Sequence, residues 1–245
     1  MHRSASLVLL AALAAAMPAP ARADDAPIVV ELFTSQGCSS CPPADRYFGE
    51  LAKRPDLIAL AFHIEYWNYI GWTDTYSKPW ATRRQRDYQT ALRLRFVYTP
   101  QIVIQGEKEG VGSEAATIEP MIRAAEAKRK PHPSLTLHWR DDGALVATVG
   151  DGQSPPGQPA TLWLVGFDKL HTIAVSTGEN AGQTSWDHHA VRSFRRLGSW
   201  AGWSEELIVP AEEAKTLGDD GAAVLLQENG SGPILTAASI QLQGR

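Results

Sequence analysis

The stretch PIVVELFTSQGCSSCPPAD, residues 27–45, contains both cysteines of this 245-residue chain. It opens with a compact apolar run, PIVVELF (27–33), which predicts a β-strand. Cys38 and Cys41 follow, separated by two serines, and two prolines stand directly after them. The next segment, ADRYFGELAKR (44–54), has its apolar residues at helical spacing. The sequence therefore places the two thiols at a strand-to-helix junction.

A disulfide between Cys38 and Cys41 would enclose only two residues, and the stabilisation that a disulfide gives grows with loop length. Such a bridge is suited to reversible redox chemistry and poorly suited to a structural role. The free N–H groups and the dipole of a helix N-terminus stabilise a thiolate. We expect Cys38 to be the exposed attacking thiol and Cys41, turned inward, to resolve the mixed disulfide. Pro42 and Pro43 fit the first helical turn, where a missing N–H costs no hydrogen bond.

Residues 1–23 have the layout of a secretory signal peptide: a basic start, an apolar run over about residues 7–17, and a small-x-small site before Asp24. The apolar run is shorter than the roughly 20 residues that span a bilayer. We therefore expect a periplasmic or secreted protein that is cleaved near Ala23 and is not embedded in a membrane. Disulfides persist in these compartments.

Composition and charge exclude several classes of function. Removal of residues 1–23 leaves 21 basic against 27 acidic residues, a net charge of −6. Nucleic acids and anionic membrane surfaces require clustered Lys and Arg, so we expect no nucleic-acid partner. The chain has 44% hydrophobic and 20% charged residues, as in packed globular proteins.

Residues 24–130 alternate strand-like and helix-like segments, the pattern of an α/β domain. DLIALAFHI (56–64) is a near-continuous apolar run, typical of a strand covered on both faces. Helices are predicted over 78–96 and 117–130, and a hairpin from PQIVIQG (100–106) through Gly112. The helix over 78–96 carries arginines that we assign to a solvated face, which could also steer acidic clients: Arg83, Arg84, Arg86, Arg93 and Arg95.

Beyond a proline-bearing linker at 127–134, the segments are short and β-like. SLTLHWR and ALVATVG flank Asp142-Gly143 and predict a hairpin. Further strands are predicted at ATLWLVGF (160–167), LHTIAVST (170–177), EELIVP (205–210), AAVLLQ (222–227) and PILTAASIQL (233–242). The pattern predicts a β-rich, sandwich-like domain over 131–245.

The stretch at 27–45 resembles the thioredoxin-like superfamily. More closely, the chain resembles a family of exported bacterial proteins called domain of unknown function 1223, in ELFTSQGCSSCPPAD, FHIEYWNYIGWTD, VYTPQIVIQG and GENAG. This resemblance covers most of the mature chain. It implies a thioredoxin-like α/β domain, a mixed sheet flanked by helices, over 24–130, with a β-rich region after it, and it supplies no established reaction.

The resemblance also implies roles for three residues. Superfamily members hold a cis proline before a central strand, facing the cysteines, and Thr99-Pro100 matches that position. The Thr99 backbone would then pair with a substrate peptide as an added strand; a trans proline that starts an edge strand is the alternative. Glu31 corresponds to the superfamily's buried acid, with one more intervening residue than usual. It could carry the proton of Cys41, or it could pair with a helix arginine.

The segment FHIEYWNYIGWTD (62–74) follows an apolar strand, so we expect it at the carboxyl edge of the sheet, where α/β folds place their sites. His63, Glu65 and Trp67 are candidates for a substrate-binding lip or a metal-tuning shell beside Cys38. An aromatic cluster that packs the loop is the alternative, and it suits Trp67 better. Asp187-His188-His189 could be a ligand cluster, although adjacent strand residues face opposite sides, which favours a solvated loop or strand.

These observations support one leading hypothesis and two alternatives. The leading hypothesis is an exported thiol–disulfide oxidoreductase that uses Cys38 and Cys41, acts on protein thiol or disulfide clients, and depends on an unidentified redox partner. It requires no metal or other cofactor beyond the redox-active disulfide. The first alternative is a periplasmic Cu(I)-binding protein or metallochaperone, because two thiolates suit Cu(I) and His63 could complete the site. In the second alternative, the protein has the same fold but serves only to bind a partner protein.

Overall fold

A computed structural model describes residues 26–155 and 159–242 of the chain. The predicted signal peptide, residues 1–23, lies outside the described residues. Within them, no helix is long and apolar enough to cross a membrane.

The chain before residue 130 alternates strands and helices, as its sequence pattern predicted. Its elements are β1 (Ile28–Thr34), α1 (Pro42–Leu51), β2 (Leu57–His63), α2 (Pro79–Ala91), β3 (Gln101–Ile104), β4 (Lys108–Val111) and α3 (Ala115–Ala127). The largest difference from the predicted boundaries is at α2, which ends at Ala91 and not near residue 96. Arg93 has a φ of 55°, a left-handed conformation that does not continue an α-helix.

After residue 130 the chain is mostly β-strand. Its elements are β5 (Leu135–Trp139), β6 (Leu145–Val149), β7 (Ala160–Ala174), β8 (Thr184–Trp200), β9 (Glu205–Val209), α4 (Ala211–Ala214), β10 (Gly221–Gln227), a 3-10 turn (Glu228–Gly230) and β11 (Ile234–Gln241). The predicted hairpin at β5 and β6 is confirmed. The two strands predicted at 160–167 and 170–177 are one long strand, β7.

The strands form one large mixed sheet and one small antiparallel sheet. The large sheet has the order β11-β10-β7-β8-β2-β1-β3-β4, and the small sheet has the order β5-β6-β9. β1 is parallel to β2 and antiparallel to β3. The mixed α/β architecture and the β-rich second part are therefore confirmed. Of the seven strands that the structure describes after residue 130, four extend the large sheet, and β8 joins it by pairing with β2 through Ala190 and Ala61. The domain boundary at 130/131 stays a prediction.

The small sheet packs on the large one like one layer of a sandwich. Leu145, Ala147 and Val149 of β6 share a buried cluster with side chains of β7 and β10. This packing gives the second part of the chain its apolar core.

The two faces of β1 are both covered, which explains why its residues are apolar except for Glu31 and Thr34. Val30 and Leu32 pack with α1 and α3 on one face. Val29 and Phe33 pack with α2 on the other face. Because side chains alternate along a strand, Thr34 lies on the α1 face and Glu31 lies on the α2 face. This division decides which residues can reach the cysteines.

Candidate functional site

Cys38 and Cys41 are joined by a disulfide, with their Cα atoms 5.4 Å apart. Cys41 is the N-cap of α1, and Pro42 and Pro43 occupy the first helical positions, as predicted. Cys41 has no exposed surface, whereas Cys38 keeps 5% of its surface exposed. The prediction of an exposed Cys38 is therefore wrong in degree, because neighbouring side chains cover most of its sulfur. Cys38 is still the more exposed of the two cysteines, as predicted.

Thr99 lies directly against the outer sulfur. Its hydroxyl donates to Cys38 Sγ at 3.2 Å, and its carbonyl oxygen lies 3.8 Å from the same atom. The Thr99-Pro100 peptide bond is cis, so that prediction is confirmed. β3 starts at Gln101 and lies between β1 and β4, so the edge-strand alternative is wrong.

Trp67 connects the loop after β2 to this contact. Its indole Nε1–H donates to Thr99 Oγ1 at 2.7 Å. A hydroxyl oxygen that accepts this bond keeps its own hydrogen free for the sulfur. Trp67 is also packed between Tyr66 and Tyr69. It therefore fits both sequence interpretations: it is part of an aromatic cluster and it belongs to the surroundings of Cys38.

Glu31 does not lie beneath the cysteine pair. It is fully buried on the α2 face of β1, where Arg84 Nε donates to its Oε1 at 2.5 Å and the Tyr88 hydroxyl donates to its Oε2. The proton-shuttle interpretation is therefore wrong, because the sheet separates this carboxylate from α1. The arginine-pairing alternative is confirmed. Arg84 is itself buried, so its assignment to a solvated helix face is also wrong.

His63 lies behind the cysteine loop and not at its surface. It is 2% exposed, and its Nδ1 lies 2.8 Å from Asp74 Oδ2. Burial alone would lower the pKa of His63, but the Asp74 carboxylate, with Asp187 and Asp45 further off, raises it to about 9. His63 Nε2 lies 4.0 Å from Asp187 Oδ1 and has no hydrogen-bond partner among the described residues. The prediction that His63 binds substrate is wrong for this geometry; it is a buried cation between carboxylates.

Asp74 and Asp187 connect this cation to the cysteine loop through Gln36. The Gln36 backbone N–H donates to Asp74 Oδ2 at 2.8 Å, and its side-chain Nε2 donates to Asp187 Oδ2 at 2.8 Å. The charge of His63, among other contacts, holds the pKa of Asp74 below its usual value although burial acts in the opposite direction. Two buried carboxylates, from separate parts of the chain, thus fix the residue two positions before Cys38.

Asp45 is the ionisable residue of α1 on this side of the sheet. Thr34 Oγ1 donates to its Oδ1 at 2.7 Å. Burial raises the pKa of Asp45 to about 7, while the Thr34 bond and the charge of His63 act in the opposite direction. Asp45 therefore titrates close to neutral pH in the first turn of the helix that carries Cys41.

Asn180, in the turn between β7 and β8, completes the surroundings of the loop. Its side-chain Nδ2 donates to the carbonyl oxygens of Gln36, at 2.9 Å, and of Cys38, at 3.0 Å. The residue is 4% exposed. The β-rich part of the chain thus contacts the cysteine loop directly.

The remaining candidates lie outside this arrangement. Glu65 is half-buried, and within the described chain its side chain makes no hydrogen bond or ion pair. The Nδ1–H of His189 donates to the Ala59 carbonyl oxygen at 2.9 Å, and His188 packs against α1. The segment Asp187-His188-His189 was predicted to be solvated. That prediction is wrong for Asp187, which is buried. Residues 26–155 and 159–242 contain no group of three or more His, Cys, Asp or Glu side chains placed to hold a metal ion.

Sequence reasoning named Cys38, Cys41, Thr99, Pro100 and Trp67, and the structure brings these residues together. The roles of Gln36, Asp45 and Asn180 were not predicted from the sequence, although all three residues lie in the quoted motifs. A signal for Asp45 was available, because an acid in the first turn of the helix after the cysteines is close to them by geometry. The contacts of Gln36 with Asp187 and with Asn180 join residues more than 140 positions apart, and no local pattern predicts them.

Comparison with known proteins agrees with this architecture. A family model described as "Protein of unknown function (DUF1223)" matches residues 29–227. The X-ray crystal structure of a protein from Agrobacterium tumefaciens matches with a TM-score of 0.76 and 29% sequence identity, over 89% of this chain and 95% of that chain. The comparison with curated proteins finds no match. The chain belongs to the family called domain of unknown function 1223.

Proposed function

We propose that this protein exchanges thiols and disulfides with protein clients through Cys38 and Cys41. One observation carries the proposal: the two cysteines form a disulfide at the N-terminus of α1, and the outer sulfur accepts a hydrogen bond from Thr99. A two-residue loop gains little stability from such a bridge, so its presence points to reversible use.

Several groups around Cys38 favour its thiolate. The Thr99 hydroxyl donates to Sγ, and the Trp67 indole orients that hydroxyl. The dipole of α1 adds a positive potential at the helix start. Hydrogen bonds and positive potential stabilise the charged form of a thiol and lower its pKa. Cys38 is therefore the nucleophile, and Cys41, which has no exposed surface, is the resolving residue.

The reduced cysteine pair exchanges with a client disulfide in two steps. The Cys38 thiolate attacks one client sulfur, a Cys38–client S–S bond forms, and the other client sulfur leaves as a thiolate. Cys41, as a thiolate, then attacks Cys38 Sγ, and the first client sulfur leaves. The Cys38–Cys41 bond forms, two electrons pass to the client, and the protons lost by the two cysteines go to solvent or to the client thiolates. The same steps in reverse oxidise a client dithiol.

The proposal includes a thioredoxin-like arrangement of the first part of the chain. The parallel pairing of β1 with β2, the helix that starts at Cys41 and the cis Thr99-Pro100 bond support it. In such an arrangement the Thr99 backbone would pair with an extended client segment, which adds a strand beside the cysteines.

The proposal also includes export. The basic start, apolar run and small-x-small site of residues 1–23 support a signal peptide, and the periplasm or the extracellular space would supply oxidised clients and a redox partner.

An exchange assay with single cysteine variants tests the proposal. We expect Cys38→Ser to abolish reductase and isomerase activity, because the nucleophile is lost. We expect Cys41→Ser to accumulate mixed disulfides, visible by mass spectrometry, because the resolving thiol is lost. Reduced wild-type protein blocked with iodoacetamide is the inactive control. Full activity of both variants would show that the proposal is wrong.

A further inference from the structure

The turn between β7 and β8 reaches across to the cysteine loop with one side chain. Asn180 Nδ2 donates to the carbonyl oxygens of Gln36 and Cys38, at 2.9 and 3.0 Å. Both acceptors are carbonyl oxygens, so the atom facing them must be the amide nitrogen and the orientation of the side chain is fixed. The Asn180 Oδ1 atom is buried and has no hydrogen-bond partner among the described residues.

The cysteine loop is therefore held from both sides. Asp74 accepts the N–H of Gln36 on one side, at 2.8 Å, and Asn180 donates to the carbonyls of Gln36 and Cys38 on the other. The Cys38 carbonyl also accepts the N–H of Cys41, at 3.1 Å. Asn180 thus binds the backbone of the reacting residue itself, and it does so from the β-rich part of the chain.

This contact has an electrostatic consequence for the sulfur. A carbonyl oxygen carries partial negative charge, which disfavours a neighbouring thiolate, and a donated N–H offsets that charge. In a buried setting the effect is larger than in water, because the local dielectric constant is low. An Asn at position 180 supplies two such bonds and also leaves its unpaired oxygen turned away from the two carbonyls.

We propose that Asn180 is a positioning residue for Cys38: it holds the loop carbonyls so that the Cys38 thiolate is favoured. The inference rests on the proposed function, since it assigns to the β7–β8 turn a role in the same chemistry. It makes the β-rich part of the chain a component of the reactive site. Asn180 touches neither the sulfur of a client nor the reacting atoms, so it acts through the backbone of Cys38.

The ionisable groups around the loop come from four elements, and they are the same in every variant of the experiment described below. They are Asp45 and Arg46 of α1, His63 of β2, Asp74 of the segment before α2, and Asp187 of β8. None of them is altered in the variants below, so a change in the titration of Cys38 can be assigned to position 180.

The experiment measures the rate of Cys38 alkylation by iodoacetamide as a function of pH. All variants carry Cys41→Ala, which leaves Cys38 as the single thiol and prevents closure of the disulfide. Asn180→Asp replaces the donor by a carboxylate that faces two carbonyl oxygens. Gln183→Glu is the matched control, because it makes the same amide-to-carboxylate change at an exposed position of the same turn.

We expect Asn180→Asp to move the titration midpoint of Cys38 to higher pH and to slow alkylation at pH 7 by about three- to tenfold. A tenfold loss of thiolate per pKa unit is partly offset by the greater nucleophilicity of a more basic sulfur. Gln183→Glu should stay within about twofold of the parent, the range of a screened surface charge. Asn180→Ala, which adds no charge, is measured alongside: a purely structural role for Asn180 would lower its stability and leave its titration midpoint unchanged.

A wild-type alkylation curve for folded Asn180→Asp overturns the inference, and so does an equal shift with Gln183→Glu. Near-UV circular dichroism establishes the folded state of each variant first. If Asn180→Asp does not fold, Asn180→Ala takes its place: a smaller shift in the same direction supports the inference, and an unchanged midpoint overturns it. Alkylation needs no client, so this result is independent of the exchange assay with Cys38→Ser, which tests the proposed function itself.

Discussion

Among single residues, His63 makes the stability of the site depend on pH in the alkaline range. It is buried beside Asp74, and its pKa is raised to about 9 in the folded chain, against about 6.5 when unfolded. A histidine with a raised pKa stabilises the fold fully below its unfolded pKa. That stabilisation is lost as pH rises through the folded pKa. The relevant window for His63 is therefore pH 6.5 to 9.

We predict that the free energy of unfolding falls by about 2 kcal/mol between pH 7 and pH 9.5, from a pKa difference of about 2.5 units, most of which acts within this window. The pKa of Asp45 is raised to about 7, so the loss of stability that Asp45 causes develops as the pH rises from about 4 to about 7 and changes little above that range. The higher window therefore isolates His63. Urea unfolding at a series of pH values measures the slope. His63→Gln should flatten it, and His138→Gln, an exposed histidine of β5, should not. An equally steep slope in His63→Gln would contradict the assignment.

Glu31 shows what a residue's sequence context can and cannot predict. A carboxylate inside an apolar strand was correctly expected to be buried and to need a partner. Which partner it has depends on the face of the sheet, and the face is fixed by the alternation of side chains along β1. Thr34, three residues later, is on the α1 face and contacts Asp45. Glu31 is on the α2 face and pairs with Arg84.

Among the elements, α1 is the one whose start controls the cysteines. Pro42 and Pro43 occupy its first positions and withhold two backbone N–H groups from the helix end. A helix start without them would offer more donors and a stronger anion site. The prolines therefore limit how far the helix can stabilise a Cys38 thiolate.

We predict that Pro42→Ala increases the rate of Cys38 alkylation at pH 7 by about two- to fivefold, the effect of one further favourable interaction at a helix end. The measurement uses the same Cys41→Ala background. Pro79→Ala is the matched control, because Pro79 occupies the first position of α2 and its loss has a similar effect on the entropy of the unfolded chain. A slower reaction in Pro42→Ala, or equal changes in both variants, would refute the helix-start explanation.

Most elements could be predicted from local sequence, and one important strand could not. β1, β2 and α1 follow from mostly apolar runs and helical spacing, and the Asp142-Gly143 turn identified the β5–β6 hairpin. β8 was missed because Asp187, His188 and several arginines interrupt its apolar pattern. On one side β8 forms an antiparallel hairpin with β7, and on the other it pairs with β2, more than a hundred residues away, so its connection to the first part of the chain is set by long-range packing.

In the molecule as a whole, the large sheet joins the parts of the chain before and after residue 130. β8 lies beside β2, Gln227 donates to the Tyr88 hydroxyl, and Asn180 and Asp187 hold the cysteine loop. These contacts are buried and polar, and their loss leaves donors and acceptors unpaired. The first part of the chain therefore depends on the second for its stability.

We predict that residues 24–130 expressed alone show no cooperative unfolding transition, because an open edge of β2 and the unpaired groups of Arg84 and Gln36 would destabilise them. The longer chain, residues 24–245, is the control and should unfold in one cooperative step. Thermal unfolding followed by far-UV and near-UV circular dichroism checks both. A fragment that melts cooperatively and keeps the near-UV signal of the full chain would contradict this prediction and support a boundary at 130/131.

Redox titration of folded residues 24–245 in glutathione buffers decides whether the cysteine pair is an exchange site. Alkylation followed by mass spectrometry counts the thiols at each ratio of reduced to oxidised glutathione. We predict that Cys38 and Cys41 pass together from disulfide to dithiol in one two-electron transition, while the circular dichroism spectrum stays that of the folded protein. A disulfide that is reduced only after the chain is unfolded with denaturant would contradict this prediction.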